Sequence, residues 1–514
     1  MKAHLLYRKR DFDLQQKLPA NEPALMQDLE LDTLFHAMAG GDEFLFQVAK
    51  QAVLSGLQDD LETIIYRQAV FKDCLRNEFA VKEIYDIAVE AIETKRTHWL
   101  GVFSHYPSGI LYEAVRLLQM LMGVLAKLKR AANEHAGQFE SEGFKTFFEM
   151  LKAELADDYF TVVEAQLKEL QFKDGVLVSA ELGEGNQGVN YILRKSLRPR
   201  PGWFQRIFSR NSSAYTFHID PRDDAGFRSL SELQDRGINL VANAVAQSTD
   251  HISSFFILLR TELAFYIGCM NLHRQLGRKG ATVCFPVPVP PGARKLSCVG
   301  LRDACLTLCM ERSVVGNDLN GDGKQFVVIT GANQGGKSTF LRGVGLAQLM
   351  MQCGMFVAAE SFSADLCRSL FTHYKREEDA TMTSGKFDEE LNRMRDISDA
   401  LTPDSLLLFN ESFAATNERE GSEIARQIVR ALLETRVKIF FVTHLYEFAH
   451  AFWKDKMDSA VFLRAERQAD GQRTFKLLPG EPLETSFGAD LYKEIFDGAS
   501  EDRRDAHAFQ EDKL

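Results

Sequence analysis

Three short runs of apolar residues in the C-terminal half of the chain predict buried β-strands. The runs are QFVVIT, SLLLF and VKIFFVT, and segments of helical character separate them. Continuous apolar runs of this length are typical of strands that are covered on both faces. Strands that alternate with helices form parallel sheets with crossover helices. The pattern therefore predicts an α/β domain in this half of the chain.

A different pattern predicts long helices in the first 290 residues. Proline is absent between Pro23 and Pro107, between Pro107 and Pro199, and between Pro221 and Pro286. An interior proline costs a helix about 3 kcal/mol, so these spans permit long helices. In the third span apolar residues recur at steps of three, four or seven, which predicts one very long helix with an apolar face. The residues of this face are Ile238, Val241, Val245, Ile252, Phe256, Leu259, Leu263 and Met270.

Two segments interrupt the helical pattern. Residues from about 172 to 222 contain short β-like runs with glycine turns, which predicts a small, partly β insertion. The segment FPVPVPPGARK, residues 285–295, holds four prolines in six positions and indicates a domain boundary. We therefore predict a helical domain over residues 1–290, an α/β domain over residues 296–498 and a charged tail over residues 499–514.

Composition and charge exclude several classes of protein. The 514 residues are 45% hydrophobic and 26% charged, as in ordinary globular proteins. A net charge of -11 argues against nucleic-acid binding by the whole surface, but it permits a local basic groove. The eight cysteines form no C-x-x-C pair, so neither a disulfide framework nor a zinc site is indicated. The chain has no uninterrupted apolar run of about 18 residues, and we expect a cytoplasmic protein outside the membrane.

A glycine-rich loop follows the first of the three predicted strands. Gly331-x4-Gly336-Lys337-Ser338 is a full match to the Walker A pattern, with a strand before it and a helix after it. In such loops backbone N–H groups and the positive end of the helix face the phosphates of ATP. Lys337 is expected to reach the β- and γ-phosphates, and Ser338 to bind Mg²⁺. The predicted ATP-binding residues are Gly331, Ala332, Asn333, Gln334, Gly335, Gly336, Lys337, Ser338 and Thr339. The alternative is a glycine-rich turn in an unrelated α/β protein.

The two remaining strands end in residues that suit nucleotide hydrolysis. Glu411, in the stretch LLLFNES, fits the role of a general base or of a residue that orients the attacking water. Asn410 stands where many nucleotide hydrolases have Asp, and it offers an amide oxygen near Mg²⁺ without a negative charge. His444, after the third strand, is placed to bond the γ-phosphate or the water. We predict that Lys337, Glu411 and His444 are catalytic and that Ser338 and Asn410 hold the metal; the alternatives are a plain core strand and a structural histidine.

The stretch DLNGDGKQF before the glycine loop imitates the start of a calcium-binding EF-hand loop. An EF-hand has a bidentate Glu at the twelfth position, and this chain has Ile329 there, inside the predicted strand. We therefore interpret the stretch as a polar turn.

Taken together, these residues resemble the MutS family of DNA mismatch-repair ATPases, a branch of the ABC-type P-loop fold. The resemblance runs from about Asn317 to Asp490 and includes VVGNDLN, ITGANQGGKSTFLR, SGKFDEE, FVTHLYEF and PGEPLETSFGADL. It implies that Ser384 and Glu389 are the signature residues, with the serine offered across a dimer to the γ-phosphate in the other subunit. The alternative for Ser384 is a helix N-cap.

The resemblance extends more loosely to the helical region, where it implies a core and lever domain of long helices. The insertion at about 172–222 lies where the family has its DNA clamp. Basic residues are interleaved with Trp203, Phe204 and Phe208 there, as expected of a patch that binds the DNA backbone. The candidates are Arg194, Lys195, Arg198, Arg200, Arg206 and Arg210. A solvated charged face is the alternative.

The expected function is that of a homodimeric, ATP-switched clamp on duplex or branched DNA, with ATP and Mg²⁺ as ligands and DNA, a second copy and other repair proteins as partners. About twenty residues precede the helical region, which leaves no room for a mismatch-reading domain with its Phe-x-Glu wedge. We therefore expect no mismatch-reading domain, and we expect no nuclease domain after the ATPase domain. The alternative function is a regulatory or scaffolding ATPase whose helical region grips a protein, which the acidic net charge favours.

Overall fold

Two compact units make up the described part of the protein. The computed structural model describes residues 1–55, 57, 60–98, 106–173, 175–194, 219–220, 222–376, 385–468 and 471–484. The unit that we call the helical unit contains Met1–Ala3, Asn77–Glu140 and Phe144–Arg260. The unit that we call the sheet unit contains His4–Arg76, Ser141–Gly143 and Thr261–Leu514.

Helices account for most of the secondary structure in the described residues. They are α1 (Glu22–Asp28), α2 (Leu31–Ala39), α3 (Glu43–Leu54), α4 (Leu61–Arg76), α5 (Glu78–His98), α6 (Pro107–His135), α7 (Glu142–Glu154), α8 (Asp157–Glu169), α9 (Asp224–Arg278), α10 (Ala304–Cys309), α11 (Lys337–Gln352), α12 (Lys386–Ala400), α13 (Glu418–Glu434) and α14 (Tyr446–Lys454).

Three sheets are present in the same residues. The strands are β1 (Leu177–Leu182), β2 (Gly188–Arg194), β3 (Val287–Val289), β4 (Leu296–Leu301), β5 (Asn317–Asn320), β6 (Phe326–Gly331), β7 (Ser361–Asp365), β8 (Leu370–Tyr374), β9 (Leu406–Asn410), β10 (Lys438–Val442), β11 (Ala460–Arg467) and β12 (Arg473–Pro479). β1 and β2 form a hairpin, a six-stranded sheet has the order β12-β11-β6-β10-β9-β8, and a four-stranded sheet has the order β3-β7-β4-β5.

The six-stranded sheet contains the three strands that the apolar runs predict. β6, β9 and β10 are neighbours in it and run parallel, and β8 and β11 extend the parallel arrangement on either side. In the register of the sheet Val442 pairs with both Ile329 and Asn410. The carboxyl ends of β6, β9 and β10 therefore lie at one edge, which is where ligands bind in open parallel sheets.

Aromatic packing holds the core of this sheet together. Phe441 on β10 is fully buried, and its ring centroid lies 4.7 Å from that of Phe409 on β9 and 4.6 Å from that of Phe448 on α14. Burying one phenylalanine side chain stabilises a fold by about 1.5 to 3 kcal/mol, and aromatic pairs of this kind add to that. The strands that carry the predicted site residues are therefore rigidly held.

The very long helix predicted between Pro221 and Pro286 is confirmed as α9, which has 55 residues. Seven of the eight residues of its predicted apolar face are buried, and Val241 is half-buried. The helix continues through the boundary between the two units, which falls after Arg260. The insertion predicted at about 172–222 contains the β1–β2 hairpin, while residues 195–218 lie outside the described residues.

The compact units differ from the domain boundaries that the sequence predicts. Residues 4–76, which we assigned to the helical domain, belong to the sheet unit. The proline-rich segment that indicates a boundary forms the edge strand β3, which pairs with β7 of the same unit. Edge strands tolerate proline because one side of the strand makes no ladder hydrogen bonds.

The prediction that the stretch DLNGDGKQF is a polar turn is wrong for its first three residues. Asn317–Asn320 forms β5, which pairs with β4 of the four-stranded sheet, and the turn begins only after it. Side chains of β5 alternate between buried and exposed positions, so Asp318 and Asn320 face the solvent while Asn317 and Leu319 are buried.

Buried polar side chains fasten the N-terminal segment to the rest of the sheet unit. The carboxylate of Glu262 on α9 accepts hydrogen bonds from the backbone N–H groups of Leu5, Leu6 and Phe12 at 2.6, 3.3 and 3.3 Å. Arg67, which is fully buried, donates from Nε to the carbonyl oxygen of Leu6 at 3.0 Å. These long-range contacts make residues 4–12 an integral part of the unit.

Two helices of the described chain are long and apolar enough, by composition, to span a membrane. They are Pro107–Gln138 and Asp224–Arg278. Half of the most apolar window of the first and 78% of that of the second are buried inside the protein. Core helices of folded domains show the same burial, so hydropathy alone assigns neither helix to a membrane.

Candidate functional site

The glycine loop joins the buried strand β6 to helix α11. Gly331 has a φ of +106°, and a Cβ there would lie 2.8 Å from the backbone nitrogen of Ala465 on β11. A Cβ on Gly335 would lie 2.9 Å from the carbonyl oxygen of Ala332. Side chains at these two positions would clash with backbone, so the tight path of the loop requires glycine. The loop thus brings its own N–H groups close to the N-terminus of α11.

Lys337, the first residue of α11, points back into the loop. Its side chain is only 5% exposed, and Nζ donates hydrogen bonds to the carbonyl oxygens of Gly331 and Ala332, both at 2.9 Å. Burial lowers the pKa of Lys337 to about 8, although the charge of Glu411 opposes the shift. A buried ammonium group that is held only by carbonyl oxygens is well prepared to exchange them for anionic oxygens.

Ser338 and Asn410 meet across the sheet edge. The Ser338 hydroxyl donates to Oδ1 of Asn410 at 2.8 Å, and Asn410 is the last residue of β9. The two residues predicted to hold a metal are therefore neighbours. Their oxygens are of the type that Mg²⁺ prefers, and Mg²⁺ usually keeps several water ligands and takes few from the protein. The donor set thus fits Mg²⁺, although among the described residues no group of three or more His, Cys, Asp or Glu side chains lies at metal-binding distance.

Glu411 and His444 form the second pair at this edge. His444 donates from Nε2 to Oε1 of Glu411 at 2.9 Å, and each side chain is about one third exposed, at 30% and 34%. The hydrogen bond from His444 holds the pKa of the Glu411 carboxyl below its usual value, and the charges of Lys337 and Lys375 act in the same direction. Glu411 is therefore ionised at neutral pH, in the state that a general base requires.

Other predicted residues lie around this edge or outside the described chain. Asn333, Gln334 and Thr339 lie in the loop and the first turn of α11, and Gln334 has a φ of +57°. Glu389 lies in the first turn of α12, where its Oε2 is buried without a hydrogen-bond partner among the described residues. Ser384 lies outside the described residues. The N-cap position of α12 belongs to Gly385, which corrects the alternative reading of Ser384 as the cap.

Two basic residues near the loop escaped the sequence analysis. Arg473 on β12 donates from Nε to the carbonyl oxygen of Asn333 at 3.2 Å, and its charge contributes to the lowered pKa of Lys337. Lys375 follows β8, and its backbone N–H donates to the backbone carbonyl oxygen of Asn410 at 2.9 Å. The charge of Lys375 lowers the pKa of Glu411. Neither belongs to a motif with fixed spacing. Only the order of the strands in the sheet reveals their position.

The predicted DNA-binding residues are largely outside the described chain. Arg194 ends β2 with an exposed side chain, and its Nε donates to the hydroxyl of Ser179 at 2.9 Å. The other candidates lie outside the described residues, and they are Lys195, Arg198, Arg200, Arg206 and Arg210. Their role stays a prediction.

A cavity of about 300 Å³ lies near the opposite edge of the six-stranded sheet. Asp365 pairs with Lys438, and Asp404 pairs with Arg436 at 3.4 Å. The cavity is lined by the first residues of β9 and β10 and by none of the residues of the glycine loop, so it is distinct from that loop.

Comparison with protein families divides the chain in two. Residues 59–279 match the model for the MutS2 N-terminal domain, and residues 327–495 match the model for MutS domain V, which is a P-loop ATPase domain. The second match begins in β6, just before the glycine loop, and includes Asn410, Glu411 and His444.

Individual relatives match in part of the chain. The chain is 32% identical over 140 residues to the MutS protein homolog 4 of Homo sapiens, which is 27% of this chain and 15% of that protein. It is 38% identical over 137 residues to the DNA mismatch repair protein MutS of Thermotoga sp. strain RQ2, which is 26% of this chain and 17% of that protein. A third relative, the DNA mismatch repair protein MutS of Leptospira interrogans, is 31% identical over 170 residues, or 20% of its length. The chain thus covers one fifth or less of the length of these relatives.

Proposed function

Because the chain belongs to the MutS family, we propose that it is an Mg²⁺-dependent ATPase whose nucleotide state switches its binding to DNA. The observation that carries this proposal is the meeting of two hydrogen-bonded pairs beside the glycine loop. Ser338 contacts Asn410, and Glu411 contacts His444, both at the same edge of the sheet. Phosphoryl transfer to water requires a phosphate-binding loop, metal ligands and a carboxylate base.

In the proposed reaction, ATP lies along the glycine loop with its phosphates toward the N-terminus of α11. Backbone N–H groups of the loop donate to the phosphates, and Lys337 exchanges its two carbonyl partners for β- and γ-phosphate oxygens. The ionised Glu411 accepts a hydrogen bond from the attacking water and then its proton. His444 fixes the orientation of that carboxylate through the bond to Oε1.

Ser338 and Asn410 hold the metal in this proposal. When bound, Mg²⁺ neutralises negative charge on the phosphates as the bond to the γ-phosphate breaks. Asn410 offers an amide oxygen to the metal or to a water ligand of the metal, but it adds no negative charge. We therefore expect weaker Mg²⁺ binding than an aspartate at this position would give.

We further propose that hydrolysis takes place in a homodimer with the ABC-type arrangement of the family. In this arrangement the signature residues Ser384 and Glu389 of one copy face the γ-phosphate bound by the other. Among the described residues, Oε2 of Glu389 at the N-terminal end of α12 is buried without a hydrogen-bond donor. This supports such a role, because a buried carboxylate oxygen without a donor is costly unless a further group meets it.

The helical unit would act as lever and clamp. The long helix α9 connects it covalently to the sheet unit, and the insertion at about 172–222 would contact duplex or branched DNA through its basic residues. Other repair proteins and a cytoplasmic location belong to the same proposal.

The ATPase part of the proposal is tested on the purified full chain. We expect Mg²⁺-dependent ATP hydrolysis, and we expect Glu411→Gln to lower kcat by about 10² to 10⁴-fold while ATP binding persists, because only the proton acceptor is lost. Light scattering should show Glu411→Gln as an ATP-bound dimer. Glu434→Gln, at an exposed position of α13, is the matched control. A wild-type monomer that binds no nucleotide would refute the proposal.

The DNA part is tested by affinity for duplex, mismatched and four-way DNA at several salt concentrations. Each lost phosphate contact should lower the slope of log affinity against log salt by about one. Arg198→Glu combined with Arg206→Glu should therefore weaken binding and flatten the slope, and Lys168→Glu on α8 serves as the control. Equal affinity for matched and mismatched duplexes is expected.

A specific observation favours a second candidate, a regulatory ATPase that binds a protein through the helical unit. Large apolar side chains on the described surface of this unit are exposed, such as Leu182 at 80% and Leu240 at 76%. The net charge of -11 also suits a protein partner better than DNA. DNA affinity that does not respond to the two arginine reversals would favour this candidate.

A further inference from the structure

A buried histidine lies on the strand next to β9, beside the C-terminal end of β9. His373 is the fourth residue of β8, it pairs in register with Phe409, and its side chain is fully buried. The motifs that predict the ATP site do not include it, and the proposed reaction does not use it. A fully buried imidazole needs partners for both ring nitrogens, since an unpaired polar atom in a protein interior is costly.

The first partner of the ring belongs to the turn that carries Glu411. Nδ1 of His373 lies 2.8 Å from the hydroxyl oxygen of Ser412, the residue after Glu411. The Ser412 side chain is fully buried, and its hydroxyl also has the carbonyl oxygen of His373 within reach at 2.5 Å. Ser412 thus binds both the ring and the backbone of one residue on the neighbouring strand.

The second partner belongs to α12. Nε2 of His373 lies 3.0 Å from the carbonyl oxygen of Glu390, in the second turn of that helix. Burial, followed by the charge of Arg393, lowers the pKa of His373 to about 4, so the ring is neutral at pH 7. A carbonyl oxygen can only accept, so the single ring proton of the neutral imidazole is on Nε2. The one proton of the Ser412 hydroxyl is then shared between two acceptors, Nδ1 and the carbonyl oxygen of His373.

The turn between β9 and the following loop has an unfavourable backbone conformation. Glu411 and Phe413, on either side of Ser412, have φ angles of +54° and +62°. Residues other than glycine rarely adopt positive φ, and such conformations persist when the surrounding structure fixes them. The His373 ring contacts this turn twice, because the Phe413 ring also stacks on it with centroids 5.3 Å apart and planes at 19°.

Burial excludes a second chemistry for this pair. A serine and a histidine in contact can act as nucleophile and base, but a nucleophile must reach its substrate. Both side chains are fully buried. Their hydrogen bonds are therefore available for holding the backbone and not for attacking a substrate.

We propose that His373 is a positioning residue for ATP hydrolysis: through Ser412 it holds the Glu411 turn, and through Glu390 it ties that turn to α12. This inference rests on the proposed function, in which Glu411 accepts the proton of the attacking water. A displacement of a reacting group by about 1 Å can cost about 10²-fold in rate. His373 acts on the place of the Glu411 carboxylate without touching the nucleotide.

Three substitutions separate the two contacts. Ser412→Ala removes only the hydroxyl and keeps the volume of the side chain. His373→Asn places an amide where Nδ1 lies and keeps a partner for Ser412, whereas His373→Gln reaches toward the position of Nε2 and can still donate to Glu390. We expect kcat to fall by about 10- to 100-fold in Ser412→Ala and His373→Gln, with less loss in His373→Asn and with unchanged Kd for ATP. Ser405→Ala, which removes a buried hydroxyl at the other end of β9, should keep the wild-type kcat.

Combining these variants with Glu411→Gln tests whether His373 affects kcat through Glu411. If His373 acts through Glu411, adding Ser412→Ala to Glu411→Gln causes no further loss of kcat. A full additional loss, or wild-type kcat in both Ser412→Ala and His373→Gln, overturns the positioning role while leaving the ATPase in place. An inactive wild-type protein would instead refute the proposed function. Far-UV circular dichroism identifies any variant that fails to fold. If the His373 variants fail to fold, the kcat of Ser412→Ala, the mildest change, tests the positioning role.

Discussion

The strand ends of the sheet unit and the β1–β2 hairpin of the helical unit are built on opposite principles. In the sheet unit the residues proposed for chemistry lie at the ends of strands that are buried on both faces, and their side chains form hydrogen-bonded pairs. In the hairpin, Leu177, Leu182 and Ile192 are 51%, 80% and 47% exposed. A reaction site requires groups fixed in place before the substrate arrives, whereas a binding surface leaves apolar and basic groups open to the solvent.

The difference shows that a packed fold can position reacting groups by itself. The carboxylate of Glu411 is held by His444 and its turn by His373, whether or not a ligand is near. The hairpin has local contacts such as the hydrogen bond from the Asn190 side chain on β2 to the Glu181 carboxylate on β1 at 2.7 Å, between two exposed residues. We therefore expect substitutions in the two regions to have effects of very different size.

The largest effect is expected on stability when one aromatic ring of the sheet unit is removed. Phe441→Ala should lower the free energy of unfolding by about 3 to 5 kcal/mol, because the cavity would lie between Phe409 and Phe448. Leu182→Ala in the hairpin should change it by less than about 0.5 kcal/mol. Denaturant unfolding measures both, and the fluorescence of Trp453 reports on the sheet unit when Trp99 and Trp203 are replaced by Phe. Equal losses in the two variants would contradict the comparison.

The same comparison explains which features the sequence could predict. Strands β6, β9 and β10 were predicted because they are covered on both faces, and a continuous apolar run records such burial directly. The glycine loop was predicted because its tight path requires glycine at fixed spacing. Features of this kind are local, so a short window of sequence contains all of their determinants.

Features that depend on distant partners could not be predicted. His373 and Ser412 are 39 positions apart, and no spacing rule joins a histidine on one strand to a serine after the next. The attachment of residues 4–12 to the sheet unit depends on Glu262, about 250 residues later. The edge strand β3 could not be predicted because prolines are typical of a domain boundary, and the proline within this strand is also typical of a strand with one free side.

A second, smaller effect on the free energy of unfolding is expected from substitution of Glu262, whose buried carboxyl anchors the N-terminal segment. Burial raises the pKa of Glu262 to about 7, against bonds from Leu5, Leu6 and Phe12 that lower it. Glu262→Gln keeps one acceptor oxygen, so one backbone N–H loses its partner at a cost of about 1 to 3 kcal/mol near pH 5.

The pH dependence of this cost has a definite sign. Between about pH 4.5 and 7 the unfolded chain releases the Glu262 proton while the folded protein keeps it, so the wild type loses stability as pH rises. Gln does not titrate, and the gap between the two proteins should therefore shrink from pH 5 to pH 7 and stay constant above. Denaturant unfolding across this range measures it. Glu181→Gln in the exposed hairpin is the matched control, and a gap that widens with pH would contradict the assignment.

The smallest effect, a change in Mg²⁺ affinity, is expected from one negative charge added at the strand ends. Asn410→Asp places a carboxylate beside Ser338 and should strengthen Mg²⁺ binding by about tenfold, or about 1.4 kcal/mol, because the site is partly open to solvent that screens the charge. The Mg²⁺ dependence of ATP hydrolysis measures the affinity. Asn417→Asp is the control, since Asn417 caps α13 and aspartate caps a helix equally well. If only the control variant strengthens Mg²⁺ binding, Asn410 lies outside the reach of the metal. If Asn410→Asp alone does so, Asn410 lies within reach of the metal, and the sheet unit responds to a single charge at its strand ends.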